Sequence, residues 1–157
     1  MKKNISVLAV SALEIAFIVF AIQNEPEQKQ SSYCDDKLCI SGTVARIIDG
    51  DTIDILSSDD SEIRIRLALV DTPERGEEGY QEAREFTASI CPIGTELVFE
   101  PDIGQPEGSY GRAIGLVSCG GISLNELLLR TDHAILYERF CNVSEFGDKS
   151  WAKEFVC

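Results

Sequence analysis

Histidine is nearly absent from this sequence: among 157 residues there is only His133, and no two cysteines stand in a C-x-x-C pair. Those two absences remove the ligand spacings of a structural or catalytic zinc site. His133 has no visible partner residue and reads as structural or surface. Positive charge is also scarce. Fourteen Lys and Arg face twenty-seven Asp and Glu, a formal net charge of −13. A broad non-specific nucleic-acid surface is usually basic, so this balance argues against one. Any polyanion must be held by a few local cations. No internal repeat is present.

The chain does contain one long apolar run. After Lys2 and Lys3, residues 5–22 are apolar except for Ser6, Ser11 and Glu14. This is the layout of a secretory signal peptide, with Val19-Phe20-Ala21 offering a cleavage site that ends on a small residue. The competing reading is an uncleaved signal anchor, because the run approaches the ~20 residues that span a bilayer. Glu14 weighs against it, at roughly 2.5–3.5 kcal/mol near a membrane centre. Either way the remainder is expected outside the cytoplasm, secreted or extracytoplasmic, with membrane contact only if the segment stays attached. Cleavage would leave the domain one charge more negative, since it removes Lys2 and Lys3 but only Glu14.

Six cysteines, Cys34, Cys39, Cys91, Cys119, Cys141 and Cys157, suit an exported domain held by three disulfides. Fifteen pairings are open to six cysteines. Local closure favours Cys34–Cys39 and Cys141–Cys157, which leaves Cys91–Cys119. Residues 23–33 are polar, lack apolar periodicity and read as a linker. The folded domain is expected over 34–157, with a disulfide-stapled C-terminal extension.

Strand patterns cover 40–48, 52–56 and 62–70. In the third, Ile63, Ile65, Leu67 and Leu69 alternate with Arg64 and Arg66. A loop follows at 71–79, then a helix over 80–90 stopped by Pro92 and Gly94. Strands at 95–100 and 113–119 flank a Gly- and Pro-bearing loop. Ser123 and Glu126 form a capping box for a helix to residue 130. A short apolar piece at 134–137 precedes a tail of one or two helical turns around Trp151, which is expected to pack in the core or half-buried, as is Tyr137. Three strands, a helix, two strands and further helices describe an α+β fold: a five-stranded OB-type β-barrel with about three helices.

Strand pairing has a chemical consequence. If strands two and three are antiparallel, Asp51 at the start of one lies near Asp71 at the end of the other. Two converging carboxylates suit a hard cation such as Ca²⁺. Arg66 lies on the polar face of the third strand and Arg112 begins the fifth. Arginine's donor fork binds two phosphate oxygens. With Glu74 as a spare carboxylate, this is the equipment of phosphodiester hydrolysis. Taken singly the pieces are bland. Asp49-Gly50-Asp51 is an ordinary turn, and not an EF-hand loop, because Ile53 and Asp54 stand where Asp or Asn and then Gly are needed.

Jointly they are specific. Ile48-Asp49-Gly50-Asp51-Thr52, then Arg66-Leu67-Ala68-Leu69-Val70-Asp71-Thr72-Pro73-Glu74, then Tyr110-Gly111-Arg112, with Asn125-Glu126 further on, resemble the thermonuclease, or staphylococcal-nuclease-like, family in order and approximate spacing. The similarity spans residues 43–137. It implies that Asp51, Asp71 and the Thr72 carbonyl would bind one Ca²⁺, and that Glu74 would activate or orient water. Arg66 and Arg112 would hold the phosphate, and Tyr110 would hydrogen-bond one of its oxygens. The implied activity is a calcium-dependent endonuclease acting on DNA or RNA and leaving 3′-phosphates, working as a monomer. The loop at 75–79 is shorter than the family's best-known pattern. The alternatives are a catalytically inactive binding module of the same fold and an acidic Ca²⁺-binding protein. The retained arginines disfavour both.

Overall fold

The computed structural model describes residues 38–157. The expected leader, the linker and Cys34 lie outside the described residues. Among those described, no helix is long and apolar enough to cross a membrane.

The three strand patterns at the N-terminal side form a meander. β1 (Ile40–Ile47) pairs antiparallel with β2 (Thr52–Ser57), and β2 with β3 (Glu62–Leu67). β5 (Glu96–Pro101) returns along β1, and β6 (Ala113–Cys119) along β5. A parallel pairing of β3 with β6, Ile65 to Leu67 opposite Ala113 to Gly115, closes the five strands into a barrel. This is the OB-type architecture read from the element order. Closure leaves no long free edge. The inward residues of the alternating strands fill it: Ile53, Ile55 and Ile65 are fully buried, with Phe99 and Val117 beside them.

The third strand is shorter than its pattern. It ends at Leu67, and β4 (Val70–Asp71) is a separate piece paired with β8 (Ile135–Leu136). The break is a turn in which Leu69 adopts φ 62°, a left-handed conformation that leucine adopts only at a cost. Neighbouring groups hold it: Leu69 carbonyl accepts from Tyr137 N–H at 2.9 Å, and Ala68 N–H donates to Gly115 carbonyl at 2.8 Å. Asn125 completes the bracket. It is fully buried; its side-chain oxygen accepts from Val117 N–H, and its amide donates to the carbonyls of Ala68 and Gly115.

Helix α1 (Tyr80–Ile90) buries Ala83 and Thr87. A two-residue strand, β7 (Ile122–Ser123), leads into α2 (Leu124–Arg130), where Ser123 accepts from Glu126 N–H as N-cap. Only that half of the expected capping box forms, because the Glu126 carboxylate pairs with Arg130 at 2.7 Å instead. Short 3₁₀ turns (Glu138–Phe140 and Glu145–Asp148) and α3 (Ser150–Glu154) complete the chain. This tail is not an appendage: Phe146, Trp151 and Ala152 are buried in the same core as the barrel.

Cys91–Cys119 ties the end of α1 to the end of β6, and Cys141–Cys157 closes the tail. Cys39 is disulfide-bonded. The expected Cys34–Cys39 pairing falls partly outside the described residues.

Candidate active site

The antiparallel register places Thr52 opposite Arg66, and Leu67 N–H donates to Asp51 carbonyl at 2.8 Å. Asp51 therefore sits beside the end of β3, as the hairpin geometry predicts. Gly50 makes this possible. A Cβ there would lie 2.8 Å from Thr72 and 2.9 Å from Ala83, so only glycine lets the turn approach both the Asp71 loop and α1. Thr87 on α1 anchors the turn by donating its hydroxyl to Gly50 carbonyl at 2.5 Å.

Asp51 is 4% exposed. Its Oδ2 accepts from Thr72 N–H at 2.9 Å and Thr72 hydroxyl at 3.0 Å, and Oδ1 accepts from Thr52 hydroxyl at 3.1 Å. Arg66 Nη1 lies 3.0 Å from Asp51 Oδ2, while Nη2 donates to Asp71 Oδ1 at 2.8 Å. Arg66 thus bridges the two carboxylates. It also donates to the Val70 carbonyl at 2.6 Å, which fixes its guanidinium across the β3–β4 turn. Burial pushes the Asp51 carboxyl up from 3.8 to about 6, only partly offset by Arg66 and by the hydrogen bonds from Thr72. Arg64, two residues earlier on the same face of β3, has a different partner. With Arg46 it pairs to Asp54 and takes no part in the site.

Beyond Arg66 opens a cleft of about 380 Å³. Asp71, Glu74, Tyr110 and Arg112 line it together with Arg66. Tyr110 and Gly111 occupy the tip of a turn with φ 51° and 74°, the left-handed pair that a tight hairpin requires. Ser109 and Arg112 exchange backbone hydrogen bonds across it at 2.9 and 3.0 Å. The turn projects Tyr110 outward, 98% exposed, with the Arg112 guanidinium 6.0 Å from its ring centre. Glu74 is held through its backbone, whose N–H donates to Glu77 at 2.8 Å.

All seven singled-out site residues therefore belong to one locality, in two shells. Arg66, Asp71, Glu74, Tyr110 and Arg112 line the cleft, whereas Asp51 and Thr72 lie behind it and reach it through Arg66. Pattern reading missed three further lining residues, Tyr137, Arg139 and Phe140. Tyr137, expected to pack in the core or half-buried, is 37% exposed there, its ring edge-on to Phe140. No local signal separates a wall tyrosine from a core one. His133 stacks on Phe86 at 4.1 Å and shares a hydrogen bond with Thr131.

A calcium ion fits the donor chemistry. Asp51 and Asp71 offer carboxylate oxygen rather than nitrogen or sulfur, the preference of a hard cation. The buried Asp51 carboxyl, pushed upward by desolvation, is also a group whose charged form a cation would stabilise. Among the described residues no three acidic, cysteine or histidine side chains cluster. An ion here would draw most of its six to eight oxygen ligands from backbone, water and substrate.

A closed OB-type barrel carrying two bridged carboxylates and a two-arginine cleft has clear relatives. Residues 64–153 match the model of the staphylococcal nuclease homologue family, and the chain belongs to that family. It is 32% identical over 104 residues to a protein of Escherichia coli O157:H7 named "Uncharacterized endonuclease", covering 64% of this chain and 63% of that one. It is 40% identical over 76 residues to the "Micrococcal nuclease" of Shigella flexneri, covering 48% and 41%. To "Endonuclease YncB" of Bacillus subtilis (strain 168) it is 31% identical over 119 residues, covering 68% and 54%. The chain thus spans less than two thirds of each of these relatives. The family match begins at Arg64, past Asp51, so the placement of Asp51 in the site rests on its own hydrogen bonds.

Proposed function

We propose that this protein is an exported, calcium-dependent endonuclease that hydrolyses phosphodiester bonds in DNA or RNA and leaves 3′-phosphates. The observation that carries this reading is the convergence of Arg66, Arg112, Glu74 and Asp71 on one cleft. The names of the nuclease relatives support it. Closed disulfides support an oxidising compartment.

Asp51, Asp71 and the Thr72 carbonyl would hold the ion, which when bound supplies positive charge to a phosphate oxygen. Arg66 and Arg112 bind the remaining phosphate oxygens and stabilise the charge that builds on them in the transition state. Tyr110 donates its hydroxyl to one of the same phosphate oxygens. Glu74 orients a water opposite the 5′-oxygen and takes its proton as the new P–O bond forms. The P–O5′ bond breaks, the 5′-oxygen is protonated by solvent, and the phosphate stays on the 3′ side. The negative charge elsewhere on the molecule confines substrate binding to this cleft.

The test is cleavage of DNA and RNA by the oxidised full chain, with Ca²⁺ or with chelator. Activity should require Ca²⁺. Glu74→Gln should lose about 10²–10⁴-fold in kcat, and Arg112→Ala about 10²–10³-fold, with both variants folded. Undiminished cleavage in both would overturn the mechanism. Oligonucleotide binding without cleavage by the parent protein would point to a binding module.

A further inference from the structure

We propose that Asp102 and Glu145 are positioning residues for substrate binding: they form a latch that holds the Tyr110–Arg112 turn against the disulfide-closed tail. The proposal rests on the nuclease reading above. Neither residue lines the cleft.

Asp102 is 2% exposed. Its Oδ1 accepts from Gly104 N–H at 3.0 Å and from Glu145 N–H at 3.1 Å, while Oδ2 accepts from the Gln105 side chain at 2.8 Å. Glu145 answers in kind: its Oε1 accepts from Ile103 N–H at 2.9 Å. Each carboxylate thus takes a backbone N–H from the other's segment. The contact is close enough that a Cβ on Gly104 would overlap the Val143 carbonyl, so the two segments meet backbone to backbone.

From this latch an unbroken set of backbone bonds leads to the turn. Gln105 N–H donates to Asp102 carbonyl and Gly108 N–H to Gln105 carbonyl, both at 3.0 Å, and Ser109 then bonds to Arg112. From the tail, Tyr137, Arg139 and Phe140 also line the cleft and run straight into Cys141, which Cys141–Cys157 closes over 16 residues. One wall presents Tyr110 and Arg112, the other Tyr137 and Arg139, and the latch ties the loop of the first to the tail of the second. Aromatic rings with a guanidinium on each wall suit an unpaired nucleic-acid strand, bases against the rings and phosphates against the arginines. The latch sets the gap between the walls and with it the reach of Tyr110 and Arg112, while Arg66 and Glu74 stand on other elements.

Glu145→Ala and Glu145→Gln, made in the oxidised full chain, test this with a single-stranded oligodeoxynucleotide in Ca²⁺. Loss of the Ile103 hydrogen bond to the Glu145 carboxylate corresponds to about a tenfold fall in kcat/KM, carried by both constants because Arg112 rides on the turn. Amide hydrogen exchange over residues 104–112 should quicken by about tenfold in the alanine variant. Glu145→Gln should restore both, because its amide oxygen can still accept from Ile103. A lowered melting temperature with unchanged kcat/KM and unchanged exchange would mean a merely structural contact and overturn the proposal, as would failure of glutamine to rescue. If the parent protein cleaves nothing, the nuclease reading fails, and exchange alone decides the latch: rates over 104–112 that do not respond to Glu145→Ala refute it.

Discussion

Asp51→Asn should make this protein more stable, by an amount that depends on pH in a defined way. Desolvation raises the Asp51 carboxyl from 3.8 to about 6. In the unfolded chain the group ionises near the lower value, so between the two the folded state binds the extra proton. Stability from this residue is therefore fully present below pH ~4 and is lost as pH rises through about 6. The interval of roughly two units corresponds to about 3 kcal/mol at neutral pH. Asparagine keeps an oxygen for Thr72 N–H and places an amide where Thr52 hydroxyl can accept, and Arg66 retains Asp71 and the Val70 carbonyl. The variant should then match the parent near pH 4 and exceed it by about 1–3 kcal/mol at pH 7.5, the lower figure reflecting the lost ion pair with Arg66. Urea unfolding of both proteins in chelator, at half-unit pH intervals, measures the difference. Added Ca²⁺ should stabilise the parent by mass action and the variant much less. A stability difference that does not change with pH, or a variant weaker than the parent at pH 7.5, would refute the reasoning.

Three further outcomes follow from the core. Asn125→Ala strands Val117 N–H and Ala68 carbonyl in a dry interior, which should cost roughly 2–5 kcal/mol. Differential scanning calorimetry should show the melting temperature down by about 10–20 °C. Stepwise reduction followed by alkylation and mass spectrometry should open Cys141–Cys157 before Cys91–Cys119, because both sulfurs of the latter belong to buried residues whereas Cys141 and Cys157 are only half-buried. Replacing Cys91 and Cys119 by serine should then remove about 3–4 kcal/mol for their loop of 28 residues.

Much of the barrel is legible in the sequence because its strands are half-buried and alternate. Ile63, Ile65 and Leu67 mark the inward face of β3 as clearly as Arg64 and Arg66 mark the outward one. What escapes is whatever depends on a distant partner. Leu69 carries no local sign that it will take a left-handed conformation, since the groups that hold it, Tyr137 N–H and the Asn125 amide, arrive some sixty residues later. The β4–β8 pairing is likewise too short for periodicity to register. Of the site, Asp51, Arg66 and Asp71 could be brought together by strand register alone. Arg139 and the Asp102–Glu145 contact could not, because they depend on how the tail folds back, and the tail has no repeating pattern.

The bridging position of Arg66 bears on how the protein's charge is organised. As it stands, Asp51, Arg66 and Asp71 together carry one net negative charge in a molecule already at −13. A divalent ion added to them would reverse the local sign, turning the one place a polyanion must approach from repulsive to attractive. Ion and polyanion would then be heterotropic ligands of the same few ångströms, each raising the affinity of the other by the same factor. Measured without polyanion, the ion's affinity would understate the value that operates during turnover, and the two titrations would have to be carried out together.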